Sequence, residues 1–169
     1  MCFKLLLSLF IAGCGLEGVS PPVEGESRHE ERIKGFTFTE SDGASKVWEL
    51  AGRSARLERS GEKDRIHIYD FEVEFFQEGE DDTLLEASRG VFIREDRIFY
   101  TEGDVLLLSG DRKIETSDIK WDPRTGGFET SRRVKITTPD GIIRGRGMTA
   151  SRDLREIHLK EEITGDISG

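Results

Sequence analysis

LLEASRGVFIREDRIFYTEGDVLLL (84–108), KIETSDIKWDPRTGGFETSRRVKIT (113–137) and IIRGRGMTASRDLREIHLKEEITGD (142–166) lie over one another without a gap. Matched positions are 29 residues apart: Leu85, Ile114 and Ile143 open the units, Phe99, Phe128 and Ile157 follow, and Val105, Val134 and Ile163 close them. A looser copy precedes these, with Trp48, Leu50 and Ala55 for its first half and residues 69–75 for its second. Self-similarity at a fixed period of about 20 to 50 residues marks a stack of supersecondary units, each burying its face against the next.

Side-chain parity inside the units sets the architecture. In the second halves the apolar positions keep one parity, as in Phe99, Thr101, Val105 and Leu107, then Phe128, Thr130, Val134 and Ile136, then Ile157, Leu159, Ile163 and Ile167. One face of each strand is therefore expected to be buried. In the first halves parity switches, from Ala87 to Gly90, from Thr116 to Ile119, from Gly145 to Met148, and from Gly52 to Ala55 in the first copy. A switch at the same point of every unit predicts a bulge or corner where a strand leaves one sheet for the facing one. Turn signals separate the runs, among them Asp122-Pro123-Arg124-Thr125-Gly126-Gly127 and Thr138-Pro139-Asp140-Gly141. No helical period competes with them. The expected fold is all-β: a repeat-built jellyroll or β-roll of two facing antiparallel sheets.

The 169 residues allow one domain of ordinary size. A net charge of −9, with basic residues interspersed among acidic ones, argues against nucleic acid as a partner, because phosphate binding wants a basic face. Residues 1–13 read as a signal peptide: Lys4, an apolar run over 5–11 too short to span a bilayer, and Ile11-Ala12-Gly13 before Cys14. Small residues directly before a Cys form a lipobox, so Cys14 is the expected lipidation site and the mature N-terminus. Residues 14–33, with Pro21-Pro22 and many acidic positions, read as a flexible tether, and residues 34–169 as the β domain.

Two consequences follow from a stack of this kind. Its end rungs leave backbone groups unpaired, and such edges either accept another β protein or carry charges that only prevent aggregation. Its interior sets bulky residues against Gly52, Ala87, Gly90, Gly145 and Ala150, which can pack shut or, if the sheets splay, line an apolar groove. An enzyme fits poorly. His67 and His158 fall on outward positions, and no nucleophile–base pair or metal-ligand spacing is present, so neither cofactor nor metal is expected.

Gly43-Ala44 with Trp48-Glu49-Leu50-Ala51-Gly52, then Thr101-Glu102-Gly103-Asp104-Val105, Glu115-Thr116-Ser117 and Gly141-Ile142-Ile143-Arg144-Gly145 resemble, in order and spacing, the LptC family of lipopolysaccharide export, related to the LptA and OstA-type jellyrolls. The resemblance covers about residues 34–167. It implies a component at the periplasmic face of the inner membrane that takes lipopolysaccharide from an ABC transporter of LptB, LptF and LptG type. It would pass that lipid along an apolar groove to an LptA-type bridge protein. The implied acyl-chain contacts are Phe71, Val73, Phe75, Phe99, Val105, Trp121, Phe128, Val134 and Ile136. Partner edges fall near Phe36 and Phe38, and at Ile157, Leu159, Ile163 and Ile167. Gly141 and Gly145 match the family's glycine-bearing strand. The family is held by an N-terminal transmembrane helix, whereas here Cys14 supplies a lipid anchor in its place. The competing reading is a lipoprotein adaptor that docks partners through its edges and carries no lipid.

Overall fold

The computed structural model describes residues 31–60, 63–79 and 81–167; Cys14, the signal and most of the tether lie outside them. The strands are β1 (Glu31–Asp42), β2 (Ser45–Ser60), β3 (Lys63–Phe75), β4 (Thr83–Ile93), β5 (Ile98–Ser109), β6 (Arg112–Asp122), β7 (Gly127–Thr138), β8 (Gly141–Ser151) and β9 (Ile157–Ile167). Each pairs antiparallel with its neighbours in chain order, giving one open sheet with β1 and β9 at its edges. The fold is thus all-β and of jellyroll type. Its two facing layers are the two arms of one continuous, bent sheet.

The turns follow the local sequence. Between β6 and β7, the Asp122 carboxylate accepts from the Arg124 backbone N–H at 3.0 Å and from its guanidinium at 2.9 and 2.7 Å. The Asp122 carbonyl accepts from the Gly126 N–H at 2.9 Å, and Gly126 takes the left-handed conformation such a turn requires, with φ +67°.

The bend sits where parity switches. β4 turns Ala87 inward, Ser88 and Arg89 outward and Gly90 inward again, and its register with β5 shifts there. On β1, β3, β5 and β9 the same line is crossed by a left-handed residue: Gly35, Asp70, Gly103 and Glu162, with φ of 56°, 44°, 95° and 54°. The corner is therefore shared: a parity switch on even strands, a left-handed residue on most odd ones and, from β4 onward, a shift of register.

Folding along this line brings distant strands face to face. The Phe75 ring of β3 lies 5.4 Å from Phe128 of β7 and 5.0 Å from Trp121 of β6, and Trp48 of β2 lies 5.9 Å from Trp121, although other strands separate these pairs in the sheet. The β8–β9 turn closes the far end: Leu154 is fully buried, Thr83 Oγ1 donates to the Arg152 carbonyl at 2.6 Å, and Arg112 Nη1 donates to the Leu154 carbonyl at 3.2 Å.

β9 departs from the expected parity. Ile157 and Leu159 pack against the core, but Ile163 is 63% exposed while its repeat counterparts Val105 and Val134 are buried. The left-handed Glu162 lies next to it, within the stretch where the register between β8 and β9 shifts. This last strand also has a neighbour on one side only.

Candidate functional site in the interior and at the sheet edges

The buried faces of successive strands form one apolar lane between the arms. Phe71, Val73, Phe75, Phe99, Val105, Trp121, Phe128, Val134 and Ile136 are all brought into it and all are buried. Most of its length is packed. Phe75 and Phe128 are 1% exposed, and aromatic rings meet there edge-on or tilted, as pairs with this quadrupole prefer.

Packing relaxes at the β1 end. A cavity of about 210 Å³ opens there between Trp48, Leu50 and Val73 of one arm and Ala55, Ile66, Ile68, Phe92, Phe99 and Trp121 of the other. Ile33, Phe36 and Phe38 of β1 form its outer wall, and Ile33 and Phe38 are 51% and 57% exposed. Every lining residue is apolar in type. Of its two tryptophans, Trp121 has its indole Nε1 buried and without a hydrogen-bond partner, turned away from the accessible wall. At the same mouth, Arg97 of the β4–β5 turn pairs with Glu40 of β1, joining the two arms across the opening.

A second recess, about 910 Å³, lies along the outer side of the bend and differs in chemistry. Asp70, Glu72, Glu86, Asp104 and Glu115 line it, against the single cation of Lys113. The hydrogen bond from Lys135, 2.9 Å from Glu115 Oε2, holds the Glu115 carboxyl below its ordinary range, with Lys113 adding to the effect. Its acidic lining disfavours an anionic ligand.

The edges carry most of the exposed bulk. Ile33 and Phe38 on β1 and Ile163 on β9 are exposed large apolar residues, and no strand pairs beyond β1 or β9 among the described residues. Phe36 is instead turned inward, its ring over Gly52, while Ile157 and Leu159 cover the core from the β9 side. Ile167 lies in β9 opposite Gly141. Gly141 has φ +144°, and a Cβ on Gly145 would meet Leu159 Cδ1 at 3.0 Å, so neither position accepts a side chain freely. His67 Nε2 lies 2.9 Å from Glu58 Oε2, and His158 is exposed on β9.

Reading residue types alone misses Ile33, Ile66 and Ile68 as cavity walls, whereas Phe92 falls on the buried parity. Ile33 falls in a charged stretch that reads as tether, and Ile66 and Ile68 belong to the copy whose spacing departs from the repeat. Their alternation around His67 was the available signal.

No helix among the described residues is long and apolar enough to cross a membrane. A search of curated proteins finds no match to this chain. A protein-family model described as Lipopolysaccharide-assembly, LptC-related matches residues 30–168, which takes in all nine strands. The chain therefore belongs to the LptC-related family of lipopolysaccharide assembly and acts in lipopolysaccharide transport.

Proposed function

We propose that this protein is a lipid-anchored component at the periplasmic face of the inner membrane that receives the acyl chains of lipopolysaccharide in the cavity beside β1 and hands them along the lane toward β9. The observation that carries this reading is the cavity itself: an all-apolar wall at one end of a continuous apolar lane, with Phe38 and Ile33 exposed at its rim. Its volume falls below the about 300 to 1,000 Å³ of sites that enclose a whole small ligand, so it suits the end of a chain. In this reading Cys14 carries the anchor, β1 meets the transporter's periplasmic domain, and the exposed Ile163 edge of β9 continues into the bridge protein by strand addition.

The adaptor reading draws on the packing of Phe75, Phe128, Val105, Val134 and Ile136, which leaves no passage until the arms part. Photo-crosslinking residues placed at Phe38 and at Phe128, in cells making lipopolysaccharide, separate the two. Glycolipid adducts at Phe38 alone support receipt at the mouth, and adducts at both support transit along the lane. Absence from both, in folded protein that still co-purifies with its neighbours, leaves only the adaptor.

A further inference from the structure

The outer face of β1 to β4 changes sign at the bend. Ile33, Ala55, Ile68 and Gly90 form one inward cross-strand row, so the residues on either side of them point outward. Those outward positions set Arg32 opposite Arg56, and Lys34 in a row with Ser54, Tyr69 and Arg89. Arg65, opposite Glu58, and Arg53, at the corner, extend the patch. The carboxylates among them are Glu58, 2.9 Å from His67, and Asp70, paired with Arg53; Glu102 of β5 borders the face opposite Arg89. Arg32, Lys34, Arg65 and Arg89 are exposed and form no ion pair among the described residues. Across the bend the same strands carry Glu49 opposite Glu74 and Glu72 opposite Glu86 on their outer face. Along the sequence these cations alternate with acids, and folding sorts them into a basic arm and an acidic one. Like charges directly opposite one another disfavour strand pairing, so the needs of the sheet do not explain Arg32 beside Arg56.

We propose that this arm lies against a membrane surface and that its basic face binds anionic phospholipid headgroups. Such a surface attracts each Lys or Arg brought near it and repels the acidic arm, so the asymmetry fixes which way the domain faces. Val91 stands opposite His67, and Tyr100, 39% exposed, stands opposite Val91. A tyrosine suits the headgroup level, with an apolar ring and a wet hydroxyl. Ile33, at the rim of the cavity, sits between Arg32 and Lys34, so the same orientation turns the cavity mouth toward the bilayer. β1 begins at Glu31 in this arm, and the segment that carries Cys14 therefore joins the domain beside the patch. Only this reach depends on Cys14 being the anchor.

The full-length chain carrying Cys14→Ser is sedimented with vesicles of phosphatidylcholine, and with vesicles of phosphatidylcholine mixed equally with phosphatidylglycerol. The ratio of the two affinities removes what the apolar run over 5–11 contributes to both. It should favour the anionic vesicles and shrink as salt rises past about 0.1 M, where the Debye length is about 10 Å. Lys34→Gln, Arg65→Gln and Arg89→Gln should each lower that preference about fivefold, and the three together should largely abolish it. Arg65→Lys with Arg89→Lys should keep it, because headgroup attraction needs the charge and not the guanidinium fork. The charge-matched control Arg133→Gln, Lys135→Gln and Arg144→Gln, on the outer face of the other arm, should change it little. Equal loss from both triple variants would reduce the effect to net charge and overturn the patch. Loss in the lysine variant would also overturn it, pointing to bidentate pairing with the carboxylates of a protein. No preference for anionic vesicles would reject the membrane as occupant and leave an acidic protein face in its place.

Discussion

A Cβ added at Gly90 would stand 2.8 Å from Phe99 Cζ and 2.9 Å from Phe71 Cζ, closer than side chains approach one another. Both rings are buried and in edge-on contact at 5.2 Å, so neither can retreat without disturbing the other. Gly90→Ala should therefore cost about 1–3 kcal/mol by overpacking, read as a lower urea midpoint. Gly52→Ala should cost less, although its nearest contact, Phe36 Cζ at 2.6 Å, is shorter, because Phe36 sits on an edge strand and can swing outward. Asp122 gives a prediction in pH. Its hydrogen bond with the Arg124 side chain lowers the carboxyl from 3.8 to about 2. A depressed carboxyl contributes stability that is present above its unfolded value and is lost as pH falls through the folded one. Wild-type stability should thus drop between about pH 4 and 2, and Asp122→Asn should flatten that part of the profile in urea titrations at successive pH values. The pairing of aromatic with small residues was legible in the sequence, because volume is a property of residue type. The left-handed conformations of Asp70 and Glu162 were not: Glu carries no such signal, and Asp, though enriched at positive φ, sits at position 70 inside a strand run with no turn residue beside it.

At the scale of single elements, the β8–β9 turn behaves as a plug. Ser151 donates its N–H to the Glu156 carbonyl at 2.9 Å, and Leu154, left-handed at φ +55°, is driven fully into the interior. Leu154→Ala should destabilise by about 2–5 kcal/mol, the range for emptying a buried leucine site, and thermal unfolding measures it. The left-handed backbone does not offset that loss, because alanine meets the same Cβ clash as leucine there. Nothing in Arg152-Asp153-Leu154-Arg155 suggests a core residue: one leucine among charges reads as a solvated turn. The strands were readable for the opposite reason. From β4 to β8 each has the same neighbours and the same bend, so the 29-residue period repeats one physical environment. β9 breaks that condition, and the expected inward parity of Ile163 fails with it.

For the whole molecule, the two ends of the lane are held by unequal forces. At the β9 end, closing depends on the buried Leu154 and on the two bonds from Thr83 and Arg112. At the β1 end, beyond the Trp48–Trp121 contact, it depends on an ion pair between Arg97 and Glu40, whose side chains are 59% and 32% exposed, and such pairs contribute about 0–1 kcal/mol. The cavity lies beside that weaker closure, and the bend line gives the arms a common place to flex. Local opening follows the distribution of buried contacts, so the arms should part first at β1 and β2. Hydrogen exchange reads this directly. Amides of β1 and β2 should exchange faster than those of β7 and β8 in the free protein, with Arg97→Ala widening the difference. A bound acyl chain should add protection at β1, β2 and β3, whose side chains wall the cavity. If the chain then moves along the lane, protection at β5, β6 and β7 must fall while it is bound, because Phe75, Trp121 and Phe128 have to separate for it to pass. Protection at β1 to β3 with β5 to β7 unchanged would confine the lipid to the mouth, and exchange that starts instead from the β9 end would reject the order of opening argued here.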